Sequence, residues 1–377
     1  FGLAGESLRP ETIRFEPARQ GRNRDLAVVQ FSDAQVGETI DPEQLGFPNA
    51  YSIDVYLRRM RRFAEGVVTV ALRHAHGEPY EGLVIWRGGD MISGSIHEEL
   101  ALTDEVRPPM QVKAAIEGEI AFYQALLDAK GAKGAPLFAR IHVASTPGNH
   151  DRITLKPQSK NFWAASYEPL MIFQLEAWFR DEPRIVFTSP RSGDVVLDVF
   201  GKKLFGTHGD RIGSRGGQGF IGPEATILRG AKKVFDQQQA MGKPVDVVLM
   251  GHWHISRNLG RVIVNGAIPG YSEYAKSLRI PPEPPSQNMT FFHPDYGEVR
   301  FSRIYLEEPA SAAVRQRRPS PPRRARHRSP SGGRNDDGQG RVARRNQPGR
   351  GAPLRRAGAG DPEPRAGGGA GRGLHPR

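Results

Sequence analysis

Five short polar groupings, each directly after an apolar run, carry the residue types that metal and phosphate chemistry needs. They are Ser32-Asp33-Ala34-Gln35, Gly88-Gly89-Asp90, Pro147-Gly148-Asn149-His150-Asp151, Thr207-His208-Gly209-Asp210 and Gly251-His252-Trp253-His254. Carboxylate and amide oxygens and imidazole nitrogens are hard or borderline donors, and no grouping offers sulfur. Such a set suits Mn²⁺, Mg²⁺, Fe or Zn²⁺. It is too large for one ion, whereas two ions sharing a bridging carboxylate would engage it all. Asp33 and Asp90 could instead cap following helices, and the histidines could be plain turn residues. What speaks against that reading is the number of strand ends that carry Asp or His.

The runs that precede these groupings read as strands. Leu26–Phe31, Leu83–Trp86, Ile141–Ala144 and Val245–Met250 are short and mainly apolar, as buried strands are. Val195–Phe200 and Lys203–Phe205 read as a hairpin turning at Gly201. Arg261–Asn265, Thr290–His293 and Glu298–Tyr305 read as later strands. Between them, Ser52–His74 places Ile53, Tyr56, Met60, Phe63, Val67 and Ala71 at helical spacing, with Ser52 as N-cap. Gln111–Lys130 reads as a second amphipathic helix closed by Gly131. Phe162–Arg180 reads as an apolar helix, residues 224–241 as another, and Pro42–Asn49 as a loop. Alternating strands and helices predict an α/β fold, in which ligands gather outside the carboxyl ends of the strands.

The 377 residues suffice for one large α/β domain. There is no Cys, which removes disulfides, thiolate zinc sites and a Cys nucleophile and fits a reducing, cytoplasmic setting. No apolar run approaches the roughly 20 residues that span a bilayer, so no membrane partner is expected. Phe1-Gly2-Leu3-Ala4 lacks an initiator Met and the basic-then-apolar pattern of a signal peptide. The formal net charge of +12 is localised. Residues 309–377 hold 17 Arg and 4 acids, while the preceding 308 hold 36 basic and 37 acidic side chains. The body therefore lacks the electrostatic footprint of a nucleic-acid binder. Three segments follow: an irregular lead-in at 1–24, a domain at 25–307, and an Arg-, Pro- and Gly-rich tail at 308–377. The tail has too little apolar surface to order itself. It reads as a solvated appendage, as an arm contacting nucleic acid, or as GC-rich codons read in an unintended frame. The sequence does not indicate an oligomeric state.

In this order the five groupings resemble the calcineurin-like metallophosphoesterases, whose blocks run Asp-x-His, Gly-Asp, Gly-Asn-His-Asp/Glu, His and Gly-His-x-His. The likeness covers Asp33 to His254, with flanking strands to about Tyr305. Within that superfamily the chain looks most like phage and bacterial exonuclease-like phosphoesterases. The resemblance implies a four-layer αββα sandwich with two mixed sheets. It implies that Asp90 bridges two metal ions, that Asp33 and His254 bind the first, and that Asn149, His208 and His252 bind the second. His150 would stand over the substrate phosphate, stabilising charge or protonating the leaving oxygen, with Asp151 orienting it. Mn²⁺ is the first choice of ion, with Mg²⁺, Fe and Zn²⁺ as alternatives. The chain departs from the pattern at Gln35, where the family has His. An amide oxygen binds a metal more weakly than imidazole does, so the first site should be looser.

The implied activity is hydrolysis of phosphate esters by a water that two metal ions activate. The first expectation is a phosphodiesterase or nuclease acting on DNA. The second is a phosphatase or phosphodiesterase for small phosphate esters. The third is a degenerate, non-catalytic metal-binding module, with Gln35 as its symptom. Gly89-Asp90-Met91-Ile92-Ser93-Gly94 lacks the Asp-Arg-Gly continuation of the protein-phosphatase subgroup. Arg152, Arg211 and Arg215 lie beside the blocks and are candidates to grip phosphate. The Gly-rich stretch 211–222 reads as a lid, a phosphate-contacting loop or an ordinary surface loop. Tyr271 and Tyr274 are candidates to stack on a base. His74, His76, His142 and His293 read as structural. His97 has no second His four residues on, so it makes no zincin motif. It remains a candidate to face the cleft.

Overall fold

The computed structural model describes residues 12–16, 23–212 and 223–308. Arg215, nearly all of the Gly-rich stretch and almost the whole tail lie outside the described residues. Within the lead-in, Thr12–Phe15 forms strand β1, so that segment is not wholly irregular. Leu26–Phe31 is β2, buried along its whole length. Helix α1 (Pro42–Leu45) replaces the expected loop. Asp41 accepts the Glu43 amide, proline opens the first turn, and Gly46 closes it at φ 63°. Helix α2 (Ile53–His74) starts where Ser52 accepts the Val55 amide, as its sequence predicts.

Strand β3 (Tyr80–Arg87) and helices α3 (Glu98–Thr103) and α4 (Pro108–Asp128) follow. Two prolines start α4 ahead of Gln111. Ala129 leaves it in an extended conformation, so Gly131 is not its left-handed cap. After β4 (Phe138–Ser145), α5 (Glu168–Trp178) begins well past Phe162, because Pro169 suits only a first turn. Then come β5 (Ile185–Thr188), β6 (Val195–Val199), β7 (Lys202–Gly206), α6 (Pro223–Ala240), β8 (Val247–Met250), β9 (Arg257–Asn258), β10 (Val262–Val264), α7 (Glu273–Ser277), β11 (Ser286–His293) and β12 (Gly297–Tyr305).

Among the described residues the strands form two mixed sheets of six, ordered β12-β11-β2-β3-β4-β5 and β1-β6-β7-β8-β10-β9. This is an α/β arrangement compatible with a sandwich. β2, β3 and β4 run parallel, with Phe31 opposite Arg87 and Arg87 opposite Ser145, so their carboxyl ends lie at one edge. In the other sheet β7 and β8 run parallel, with Gly206 opposite Leu249. Side-chain alternation then sorts the core. Ala27, Val29, Phe31 and Ile85 pack with Phe63, Val67 and Phe122 of α2 and α4. Val28, Val84 and Trp86 pack with Leu197, Leu204, Leu249 and Ile263 of the second sheet. Val196, Phe205, Val248 and Met250 pack with Ile227, Ala231 and Val234 of α6. The central strands are thus covered on both faces, which is why they read as nearly unbroken apolar runs. Among the described residues no helix is long and apolar enough to cross a membrane.

Candidate metal centre

The loops after β2, β3 and β4 meet those after β7 and β8, and Asp90 sits where they meet. Its Oδ1 accepts the His150 amide at 2.7 Å. Its Oδ2 lies 3.1 Å from His208 Nε2 and 3.1 Å from Gln35 Nε2. His208 Nδ1 is 2.7 Å from the Gly88 carbonyl. A carbonyl only accepts, so that nitrogen carries the proton. In the neutral ring Nε2 then aims a lone pair at two oxygens, Asp90 Oδ2 and Asn149 Oδ1, each 3.1 Å away. Three electron-pair donors facing one another in a buried place need a positive charge between them.

A proton on His208 is one solution. Burial works against it, but the Asp90 carboxylate outweighs burial and holds the ring well above the usual imidazole range. Burial likewise opposes the charge on Asp90, and His208 above all outweighs it and holds that carboxyl well below its usual range. A divalent cation is the other solution, and it competes with the proton for the same lone pair. Asp90, His208 and His252 each bring a ligand atom within 4.8 Å of the others. Burial, then the neighbouring His208, lowers His252 to about 4, so that ring is neutral and able to ligate. The donor set fits a metal ion.

Asp33 forms the other side. Its Oδ1 accepts the His252 amide at 2.9 Å and lies 3.4 Å from His254 Nε2. Gln35 turns its amide nitrogen towards Asp90, the end that a bare carboxylate prefers. A half-turn of the carboxamide presents the oxygen instead. These contacts link Asp33, Gln35, Asp90, Asn149, His208, His252 and His254 into one cluster.

The convergence strains the backbone. Asp33, Gln35, Asp90, His252 and His254 all have φ between 46° and 66°, each at a cost on the order of 1 kcal/mol. Asp and His tolerate this region better than Gln does. Asp151 offsets the strain and corrects one expectation. Its buried carboxylate accepts the amides of Asp90 at 2.8 Å, Met91 at 2.9 Å and Gly148 at 2.8 Å. It fastens the β3 loop to the β4 loop and does not orient the His150 ring. Ser93 does that, its carbonyl 2.8 Å from His150 Nδ1, which leaves Nε2 for a ligand. Gly148 is obligatory, because a Cβ there would lie 2.1 Å from Asp90 Oδ1.

Sequence reasoning missed the residues behind Asp33. Ser32 donates its hydroxyl to Asp33 and accepts from Asn265 at 2.9 Å. Gln287 accepts the Ser32 amide at 2.9 Å and the Asn265 amide group at 2.8 Å. Asn265 and Gln287 are fully buried, and partners of this kind fix a ligand's orientation. Their only signal was a polar residue beside or within a strand.

The expected substrate residues divide. Arg152 donates to the carbonyls of Thr154, Asn149 and Leu155, so its guanidinium braces its own loop rather than standing free for phosphate. Arg211 lies over the Phe162 ring at 3.4 Å and donates to the Gln158 carbonyl. Tyr271 packs edge-on against Phe47 and belongs to the helix-side apolar cluster. Tyr274 is exposed. No protein-family model matches the chain, and no curated protein matches it.

Proposed function

We propose that the chain is a dinuclear metal-dependent phosphoesterase of the calcineurin-like kind, its sheets and outer helices forming that family's four-layer αββα sandwich. The observation that carries the reading is the convergence of Asp90 Oδ2, His208 Nε2 and Asn149 Oδ1 on a position where only a titratable proton on His208 stands in for a cation. The order of the five blocks along the chain supports it. Asp90 would bridge two ions, with Asp33, Gln35 and His254 on one and Asn149, His208 and His252 on the other. Mn²⁺ is the first choice, with Mg²⁺, Fe or Zn²⁺ as alternatives, and such ions supply Lewis acidity and an activated water.

The chain's own residues do the rest. Ser32, Asn265 and Gln287 hold Asp33 in place. Asp151 keeps the two ligand-bearing loops in register. His150 keeps Nδ1–H on Ser93, so a second proton on Nε2 would be donated to the developing charge or to the leaving oxygen. The preferred substrate is a DNA phosphodiester, bound at a local groove because the body is nearly neutral. That near-neutrality also favours a second reading, a small phosphate ester. A cytoplasmic setting and contact of the tail with nucleic acid belong to the first.

The test uses the full chain with Mn²⁺ on labelled single- and double-stranded DNA, bis-p-nitrophenyl phosphate and p-nitrophenyl phosphate. DNA cleavage with a diester preference supports the nuclease. Hydrolysis of the small esters alone favours the second reading. Metal binding without hydrolysis of any of them refutes catalysis and leaves a binding module.

A further inference from the structure

We infer that His97 is a phosphate-binding residue that works beside His150, an inference that rests on the phosphoesterase reading. The two imidazole centroids are 5.4 Å apart and the rings are tilted by 54°. His97 is exposed. Among the described residues its ring takes part in no hydrogen bond. His150 has Nδ1 engaged by Ser93, so each ring has a nitrogen left for a ligand.

The segment that carries His97 is locked to the segment that carries His150. Asp151 holds the Met91 amide at 2.9 Å, and the Ser93 carbonyl holds the His150 ring. The Ser93 hydroxyl donates to Asp104 at 2.8 Å, and the Gly94 amide donates to Gln111 at 2.8 Å. Gly94 has φ 73°, and a Cβ on it would lie 2.2 Å from the His150 carbonyl oxygen. This loop can approach so closely only as glycine. These contacts fix the loop on both sides of His97, at Ser93–Gly94 and at Asp104, and so keep its backbone beside the His150 loop.

A phosphate group with one oxygen on His150 Nε2 has a second non-bridging oxygen beside it. A ring separation of 5.4 Å leaves room for one hydrogen bond of roughly 2.8 Å from each imidazole to two such oxygens. His97 thus recognises the phosphate itself, which diesters, monoesters and inorganic phosphate share. It contributes to binding rather than to breaking the P–O bond.

The experiment uses the full chain with Mn²⁺ and inorganic phosphate, both as a titrant in calorimetry and as a competitive inhibitor of bis-p-nitrophenyl phosphate hydrolysis. His97→Ala weakens phosphate binding by about 10-fold, raises KM by a similar factor and leaves kcat within about 2-fold. His97→Asn, which keeps an N–H donor, recovers most of the loss. Mn²⁺ affinity stays at the wild-type value in both, and the melting temperature confirms the fold. Unchanged phosphate affinity and KM in His97→Ala overturns the inference. So does a fall in Mn²⁺ affinity, which would make His97 part of the metal centre, and so does an Asn variant no better than Ala. If the wild-type chain binds no Mn²⁺, the phosphoesterase reading fails and takes this inference with it. If the wild type hydrolyses the diester and His97→Ala matches it, only the inference falls.

Discussion

Strand β3 and the loop after it carry two buried charges three residues apart, Arg87 and Asp90, in opposite kinds of surroundings. Arg87 directs Nε and one terminal nitrogen to the two Glu119 oxygens, each at 2.8 Å. Its other terminal nitrogen meets Glu168 and Ser145. Tyr123 adds a hydrogen bond to Glu119 at 3.0 Å. Donors match acceptors, and the three side chains are wholly buried; Arg87 is the one cation between two carboxyls, and burial raises that of Glu168 to about 7, which relieves the excess negative charge. Around Asp90 the count closes only while His208 keeps a titratable proton. Without it, carboxylate, amide oxygen and imidazole lone pair converge with no cation fixed among them. Buried charge alone is therefore no mark of a functional site, since Arg87 has it and acts as a brace. The mark is a surplus of lone pairs held rigid on strained backbone.

The largest effect that could break this contrast lies on the Asp90 side. Asp90→Ala or His252→Ala should lower hydrolysis of bis-p-nitrophenyl phosphate by more than about 100-fold, beyond the loss typical of an outer metal partner. The melting temperature should stay within a few degrees. Full activity of either variant with metal present would sink the site assignment. Arg87→Met should do the reverse and act on stability. It strands Glu119 in the core, which costs about 3–5 kcal/mol, measurable as a shift in the urea midpoint. A change below about 1 kcal/mol would show that the Arg87 cluster is not the closed network described.

A third, partly buried ionisable group sharpens the contrast, because it stays neutral. His142 of β4 meets the Thr188 hydroxyl at 3.0 Å, and burial lowers its pKa to about 4. The unfolded chain, with an ordinary imidazole near 6.5, takes up the proton first. Stability should fall as pH drops from about 6.5 to 4, and the slope should flatten below that. His142→Gln should remove up to about 3 kcal/mol of that fall, read from urea unfolding at several pH values. An unchanged slope would contradict the neutral, partly buried ring. The smallest effect concerns Gln35. Gln35→His should tighten the weaker metal site by about 10-fold, as imidazole replaces a neutral amide. Calorimetric titration with Mn²⁺ that shows no change would remove Gln35 from the centre.

The strand ends were legible because each follows a short apolar run and four of the five carry a glycine at the turn, so Asp33, Asp90, Asn149, His208, His252 and His254 could be placed from the sequence. Helix α2 was legible in the same way, from its spacing and from Ser52. What failed was local. Asp151 follows His150 directly, yet the unpaired amides of Asp90, Met91 and Gly148 need an acceptor, and that need decided where its carboxylate points. Arg152 sits beside the Asn149–Asp151 loop in sequence, but nearby carbonyls take its donors. Asn265 and Gln287 look like any polar residue in a strand until two sheets close over them. Pro169 and Ala129 moved helix ends that apolar spacing alone had put elsewhere.

The central claim is that Asp90, His208 and Asn149 form a cation site, and anomalous diffraction at the manganese edge from crystals grown with Mn²⁺ tests it most directly. A peak should appear within about 2.3 Å of Asp90 Oδ2, His208 Nε2 and Asn149 Oδ1, with a second peak on the far side of Asp90 beside Asp33 and His254. No peak between those three atoms, with His208 Nε2 still against the Asp90 carboxylate at saturating Mn²⁺, would mean that a proton and not a metal completes the cluster.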